Sequence, residues 1–143
     1  MVFSLVFSSS IMAVESLISV KSNYTVKQSA DRFEKLLEKK GLTMFARINH
    51  GKNAANVNLQ LAPTEVIIFG NPQVGTPLMQ CSKTVAIDLP QKMLFWIDEQ
   101  GQNWLSYTNP ESLKERHNIT DCDQVITKIS SVLGKLSLAA TSK

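Results

Sequence analysis

The sequence predicts a single α+β domain in two layers, a mainly antiparallel sheet of about five strands with helices packed on one face. Segments with apolar residues at every second position alternate along the chain with segments of helical periodicity. Residues 98–101 form a tight turn between two apolar segments, which predicts a β-hairpin. The 143 residues contain neither repeats nor a linker, so we expect no second domain.

The first half of the chain begins with a predicted strand over residues 16–23 and continues with a helix. Thr25 and Gln28 have the spacing of a capping box, and Gly41 is the expected C-terminal stop. The apolar face of this helix comprises Val26, Ala30, Phe33 and Leu37. Residues 42–48 then predict a half-buried strand. Its two faces carry Leu42, Met44, Ala46 and Ile48 on one side and Thr43 and Arg47 on the other.

The most informative stretch lies between residues 64 and 79. Residues 64–69 are apolar without alternation, which predicts a central strand buried on both faces. A tight turn, Gly70-Asn71-Pro72, follows directly. Thr76 then has the character of an N-cap and Pro77 that of a first helical residue, in a helix that ends near Lys83.

Two strands, over residues 92–98 and 102–108, and two helices complete the chain. Asn109 as N-cap and Pro110 as the first helical residue begin a helix that runs to about His117. Residues 120–123 have the spacing of a second capping box. The last helix carries one apolar stripe of Val125, Ile126, Ile129, Val132, Leu133 and Leu136.

Residues 1–13 are apolar and rich in serine, and they end in the small residue Ala13. This pattern predicts a signal peptide cleaved before a domain of residues 14–143, and therefore a periplasmic or secreted protein. The alternative is an N-terminal strand or a disordered tail of a cytoplasmic protein. No segment has the length of a membrane-spanning helix. The net charge of +3 is mild and the lysines are dispersed, so we expect no nucleic-acid partner.

Several short motifs follow one another along the chain: Ile48-Asn49-His50, Phe69-Gly70-Asn71-Pro72, Gly75-Thr76-Pro77-Leu78-Met79, Asp88-Leu89-Pro90 and Arg116-His117. In this order they resemble the DUF302 family, small bacterial and archaeal domains of undefined activity. The likeness spans residues 20–132. It implies a compact α+β domain that tends to dimerise, and it supplies no catalytic residues. Cys81 departs from the commoner pattern of the family.

The turn and the helix start within residues 70–79 predict a ligand pocket. Its candidate residues are His50, Gly70, Asn71, Pro72, Gly75, Thr76 and Met79. The N–H groups of Gly75 and Thr76, at a helix start, would form an anion site. The alternative interpretation is structural, with Asn71 closing a tight turn and His50 bonded to nearby backbone.

Cys81 and Cys122 have two interpretations, a disulfide or two unrelated thiols. Paired, they would close a loop of about forty residues, worth about 3–4 kcal/mol. They also suggest redox chemistry, and Met79, Cys81 and His50 together are a possible set of soft-metal ligands. His117 ends a helix, where a protonated imidazole complements the helix dipole. A metal pair of His50 and His117 is the alternative.

Together these observations predict a non-enzymatic, exported module that binds a small ligand or a protein partner, without a cofactor. The sequence contains no nucleotide-binding loop, serine-hydrolase elbow or zinc-protease motif. A one-sided sheet favours a homodimer, with Trp96 and Trp104 as core or interface aromatics. The alternative function is a redox or metal-handling protein that uses Cys81, Cys122 and His50.

Overall fold

The computed structural model describes residues 14–143, and the predicted signal peptide over residues 1–13 lies outside the described residues. The strands are β1 Leu17–Lys21, β2 Thr43–Asn49, β3 Thr64–Gly70, β4 Gln91–Ile97 and β5 Asn103–Thr108. The helices are α1 Val26–Lys40, α2 His50–Asn56, α3 Pro72–Cys81, α4 Pro110–His117 and α5 Asp123–Thr141, with a 3₁₀ helix over Lys83–Ile87.

The five strands form one sheet in the order β1-β5-β4-β3-β2, and every neighbouring pair is antiparallel. Helices α1 and α5 pack against each other and against one face of this sheet. The predicted α+β architecture of about five strands with helices on one face is therefore confirmed. Strands β1 and β2 are the two edges of the sheet.

The hydrophobic core lies between the sheet and the helices, chiefly α1 and α5. The ring of Phe33 on α1 packs edge-on against Phe69, with ring centroids 5.0 Å apart, and contacts Phe95 at 5.6 Å. Ile67 and Met93 pair across β3 and β4, and both side chains are fully buried. Burial of side chains of this size contributes about 1.5–3 kcal/mol each, so this layer holds the sheet and the helices together.

The ends of α1 and the start of α4 form as the sequence predicts. The hydroxyl of Thr25 accepts a hydrogen bond from the Gln28 N–H, and the Gln28 side chain accepts one from the Thr25 N–H. Gly41 ends α1 with φ of 65°, a left-handed conformation that glycine adopts without steric cost. Asn109 caps α4, which begins at Pro110 and ends at His117.

Arg47 ties the edge strand β2 to α1 and to β3. Its guanidinium lies 2.7 Å from Asp31 and 2.9 Å from Glu34 on α1, and 2.8 Å from the buried Glu65 on β3. Hydrogen bonds from Lys27 and then Arg47 lower the pKa of Asp31 below its ordinary value. Burial alone would lower the pKa of Arg47, but its three carboxylate partners raise it. Asp31 and Arg47 therefore both stay charged at neutral pH.

The opposite face of the sheet carries half-buried apolar side chains in register. Ile48, Val66 and Leu94 form a row across β2, β3 and β4. The indoles of Trp96 and Trp104 stack beside this row, with ring centroids 6.2 Å apart. We call this surface the open face.

Two strand predictions are wrong in detail. Strand β3 is not buried on both faces, because Glu65, Ile67 and Phe69 face the helices while the residues between them are only half-buried. In β2 a register shift between Met44 and Ala46 interrupts the predicted alternation. This β-bulge leaves consecutive residues at the start of β2 exposed.

Two helix starts also differ from prediction. Helix α3 begins at Pro72, so Thr76 and Pro77 lie inside it and Asn71 is its N-cap. Both residues are followed by a proline, but Asn is the stronger N-cap, and the Asn71 side chain accepts a hydrogen bond from the Gln73 N–H at 2.9 Å. The capping box predicted at residues 120–123 does not form, since α5 begins only at Asp123 with Cys122 as its N-cap residue.

Candidate functional site

A cavity of about 480 Å³ lies at the end of the sheet where β3 stops. The chain leaves β3 at Gly70 and re-enters the sheet at Gln91, so residues 71–90 build one wall of this cavity. Helix α5 and the start of β2 build the rest. The site is therefore assembled from segments that are distant in the sequence.

The walls of the cavity are mainly apolar, with a few neutral polar groups and one charged side chain. The apolar and glycine residues are Leu42, Phe45, Phe69, Gly70, Pro72, Val74, Gly75, Met79, Ala86, Leu89, Pro90, Ile129, Val132 and Leu133. The polar residues are Asn71, Gln73, Thr76, Gln91 and Lys128. Such a lining favours an apolar ligand oriented by few polar contacts.

The predicted candidates Gly70, Asn71, Pro72, Gly75, Thr76 and Met79 all line this cavity. The predicted anion site is wrong, however. The N–H of Gly75 donates to the Asn71 carbonyl at 2.9 Å, and Thr76 lies in the helix interior. Since α3 starts earlier than predicted, these backbone donors are used within the helix and do not face a ligand.

His50 is not part of the cavity, which corrects the predicted pocket. In the register of β2 and β3, Asn49 pairs with Glu65 while Thr43 pairs with Gly70. His50 follows Asn49 and begins the exposed helix α2, so it lies at the opposite end of the sheet. The five residue-to-residue steps from Glu65 to Gly70 separate the two ends by about 17 Å of strand.

Two glycines leave room for the cavity. A Cβ on Gly70 would lie 3.6 Å from both the Phe45 ring and Pro90. A Cβ on Gly75 would lie 3.7 Å from Leu89 Cδ1. These are ordinary contact distances, so a side chain at either position would narrow the cavity without a clash against its walls.

Sequence reasoning missed the contributions of α5 and β2. Lys128, Ile129 and Val132 face the cavity from α5, and Phe45 faces it from the start of β2. Phe45 is 55% exposed and Val132 is 39% exposed, so both lie near the mouth. One signal was available in the sequence, because Phe45 is an aromatic residue on the predicted polar side of its strand.

Cys81 and Cys122 form a disulfide in the structure, with their Cα atoms 6.4 Å apart. Cys81 is the last residue of α3 and Cys122 immediately precedes α5. The bond therefore joins the two helices that border the cavity.

The possible soft-metal site that includes Met79 and His50 does not form, because Met79 lines the cavity and His50 lies at the other end of the sheet. Among residues 14–143, no three His, Cys, Asp or Glu side chains converge on a metal-sized site.

His117 is engaged by protein groups on both ring nitrogens. Nε2 contacts the carboxylate of Asp88, and Nδ1 lies 2.9 Å from Thr84 Oγ1. The side chain is only 5% exposed and His50 lies at the opposite end of the sheet, so the alternative of a metal pair does not form. Arg116 also pairs with Asp88, at 3.2 Å. These contacts hold Asp88 in place, and the residue after it, Leu89, lines the cavity.

Within the described part of the chain, no helix is both long enough and apolar enough to cross a membrane.

The chain is 41% identical over 103 residues to the fluoride-specific ion channel FluC 1 of Brucella suis biovar 1 (strain 1330) and to FluC 1 of Brucella abortus biovar 1 (strain 9-941). Each match covers 72% of this chain but only 41% and 38% of the respective relative. The chain thus spans about two-fifths of the length of these curated relatives.

A solved structure has the same fold. The uncharacterized conserved protein DUF302 from Bacillus stearothermophilus superposes with a TM-score of 0.79 at 16% sequence identity. The superposition covers 89% of this chain and 99% of that protein. The model of the family described as domain of unknown function DUF302 matches residues 18–136. Since this match spans most of the chain, from the second residue of β1 into the last helix, the chain belongs to the DUF302 family.

Proposed function

We propose that this domain is a binding module that holds a small, largely apolar molecule in the cavity beside α3. The observation that carries the proposal is the cavity itself, about 480 Å³ with predominantly apolar walls. Small-molecule sites in proteins occupy roughly 300–1,000 Å³ and are lined in this way. The cavity is large enough for a molecule of metabolite or short lipid size.

Binding, rather than catalysis, fits the chemistry of the walls. Asn71, Gln73, Thr76 and Gln91 are neutral, and Lys128 is the one charged side chain among the described lining residues. General acid–base or nucleophilic catalysis needs a titratable pair within hydrogen-bond distance of the substrate. Neutral amides and a hydroxyl supply orientation instead.

The test is binding of N-phenyl-1-naphthylamine, a neutral apolar fluorescent probe, to the full chain. Val132→Trp places an indole at the mouth, and we expect it to abolish most of the fluorescence increase. Val57→Trp is the matched control, because Val57 is 64% exposed and does not line the cavity. Probe binding that is the same in both variants and in the wild type would refute this site.

We also propose that the domain self-associates through its open face. The row of Ile48, Val66 and Leu94, beside the stacked indoles, supports this proposal, because a two-fold arrangement lays such a row against its own copy. Leu94→Glu should convert the dimer to a monomer in sedimentation-velocity analysis. A wild-type chain that sediments as a monomer at high concentration would contradict self-association.

We further propose that residues 1–13 direct export. The Cys81–Cys122 disulfide supports this, since structural disulfides persist mainly in oxidising compartments. Mass spectrometry of the protein purified from its native host tests both points. We expect a chain that begins at Val14 and weighs two hydrogens less than its fully reduced form. A chain that retains residues 1–13 with two free thiols would contradict export.

A thiol–disulfide function is the second candidate, and the observation in its favour is that Cys81 is exposed while it is paired. It predicts reversible reduction within the range of cellular glutathione potentials, measured by alkylation and mass spectrometry. His50 takes no part in it. Fluoride conduction is not proposed, because the likeness to the channels covers only about two-fifths of their length.

A further inference from the structure

We infer that the ligand of the cavity is an acidic amphiphile, with an apolar body and one anionic end that pairs with Lys128. This inference rests on the proposed binding function and adds the chemical class of the ligand. It follows from three properties of the site: the charge of its lining, the surroundings of Lys128, and the gradient of burial from floor to mouth.

The charge of the lining is a single unbalanced cation. Lys128 lines the cavity, and the lining contains no Asp or Glu. The neighbours of Lys128 one turn away on α5 are Gln124, Val125, Ser131 and Val132, so no helical ion pair is available to it. Among the described residues, Lys128 forms no salt bridge. A ligand anion would supply the missing counter-charge.

The burial gradient sets the orientation of such a ligand. Phe69, Leu133 and Ile129 form the floor and are 2%, 2% and 4% exposed. Phe45 and Lys128 lie at the exposed mouth. An alkyl or aryl body on the floor leaves a carboxylate or sulfonate at the mouth, where it meets the ammonium and stays partly hydrated.

The expected charge effect is modest because Lys128 is exposed. An exposed ion pair contributes little, which corresponds to about a two- to fivefold change in affinity. The apolar floor supplies most of the affinity, so loss of the charge should weaken binding without abolishing it. This separation allows the ligand class to be tested apart from the cavity itself.

The experiment compares decanoate, decanol and decylammonium by isothermal titration calorimetry on the full chain. These probes share one apolar body and differ in the charge at its end. We expect decanoate to bind most tightly and decylammonium least. Lys128→Met should lower the affinity for decanoate about two- to fivefold and leave decanol unchanged. Lys135→Met is the matched control, a lysine on the same helix that does not line the cavity, and should change neither.

The outcomes separate this inference from the proposal beneath it. Equal affinity for decanoate and decanol, with no effect of Lys128→Met, overturns the acidic class while the binding function stands. No heat of binding with any of the three probes overturns both. Co-sedimentation with anionic phosphatidylglycerol vesicles, without binding of decanoate, also overturns the inference. It would indicate that Lys128 and the mouth of the cavity bind a membrane surface.

Discussion

Two glycines in two helices give a matched test of the cavity. Gly75 lies in α3 and lines the cavity, whereas Gly134 lies in α5 and would have nothing within 4 Å of a new Cβ. Neither glycine has a positive φ in the structure. Gly75→Ala and Gly134→Ala are therefore the same chemical change, one facing the cavity and one facing open space.

The two substitutions should stabilise the fold by similar amounts. Alanine is favoured over glycine inside a helix by about 0.8–1 kcal/mol, because glycine loses more backbone entropy. In a chain of this size, 1 kcal/mol raises the midpoint of thermal unfolding by about 3–5 °C. At position 75 the new methyl group also contacts Leu89 Cδ1 at 3.7 Å, an ordinary packing distance that adds no strain.

Binding should separate the two variants. Gly75 and Leu89 both line the cavity, so we expect the new methyl group beside Leu89 to reduce the space for a ligand, and overpacking by one methyl group costs about 1–3 kcal/mol. The affinity for decanoate should therefore fall about fivefold or more in Gly75→Ala and stay unchanged in Gly134→Ala. Calorimetry measures both quantities, thermal unfolding by scanning and affinity by titration. A Gly75→Ala variant that gains stability and binds decanoate like the wild type would refute the cavity as the binding site.

Three further predictions concern stability. Arg47→Met should lower the free energy of unfolding by about 3–5 kcal/mol in urea, because Glu65 is left buried without its cation; Glu65→Leu in the same chain should recover part of the loss, and strictly additive effects would show that the two residues are uncoupled. Asp31 has a lowered pKa in the folded state, so its contribution is present above its unfolded pKa of about 3.8 and disappears as the pH falls through the folded value. Asp31→Asn should flatten the loss of stability in urea titrations below about pH 4, and an unchanged acid limb would contradict this. Serine at both Cys81 and Cys122 should cost about 3–4 kcal/mol through a chain separation of 41 residues, and an unaltered urea midpoint would rule out a stabilising disulfide.

Local sequence signals predicted a helix start or end correctly where only one residue nearby could fill the capping position. The capping box of Thr25 and Gln28, the stop at Gly41 and the start of α4 at Pro110 all appear as predicted, because each depends on neighbours within one turn. The start of α3 did not follow, since Asn71 and Thr76 are both good caps. The choice between them depends on how the whole connection from β3 to β4 folds, and this is not visible in the local sequence.

Only one wall of the cavity could be predicted from the sequence, because the other wall depends on contacts between distant segments. The wall at residues 70–79 is one continuous segment with dense turn chemistry, so it stood out in the sequence. The opposite wall comes from Lys128 and Val132 on α5 and from Phe45 beside a β-bulge. No local pattern states which segment of the chain α5 will face. The position of His50 at the end of a strand predicts a place in the pocket, because functional residues often lie at strand ends. The register of β2 with β3 places His50 at the end of the sheet opposite the cavity.

The walls of the cavity are held in place by contacts within the protein. Helix α3 is fixed at its start by the Asn71 cap and at its end by the disulfide to Cys122. The segment before β4 is fixed by the contact of Asp88 with His117. The disulfide connects α3 to the start of α5, so the position of one wall is fixed relative to the other by the protein's own contacts. A preformed site loses little order on binding, so a substitution such as Gly75→Ala should act on affinity and stability independently of each other. That independence is what a domain built to bind a ligand requires, and what a core that packs only for stability would not show.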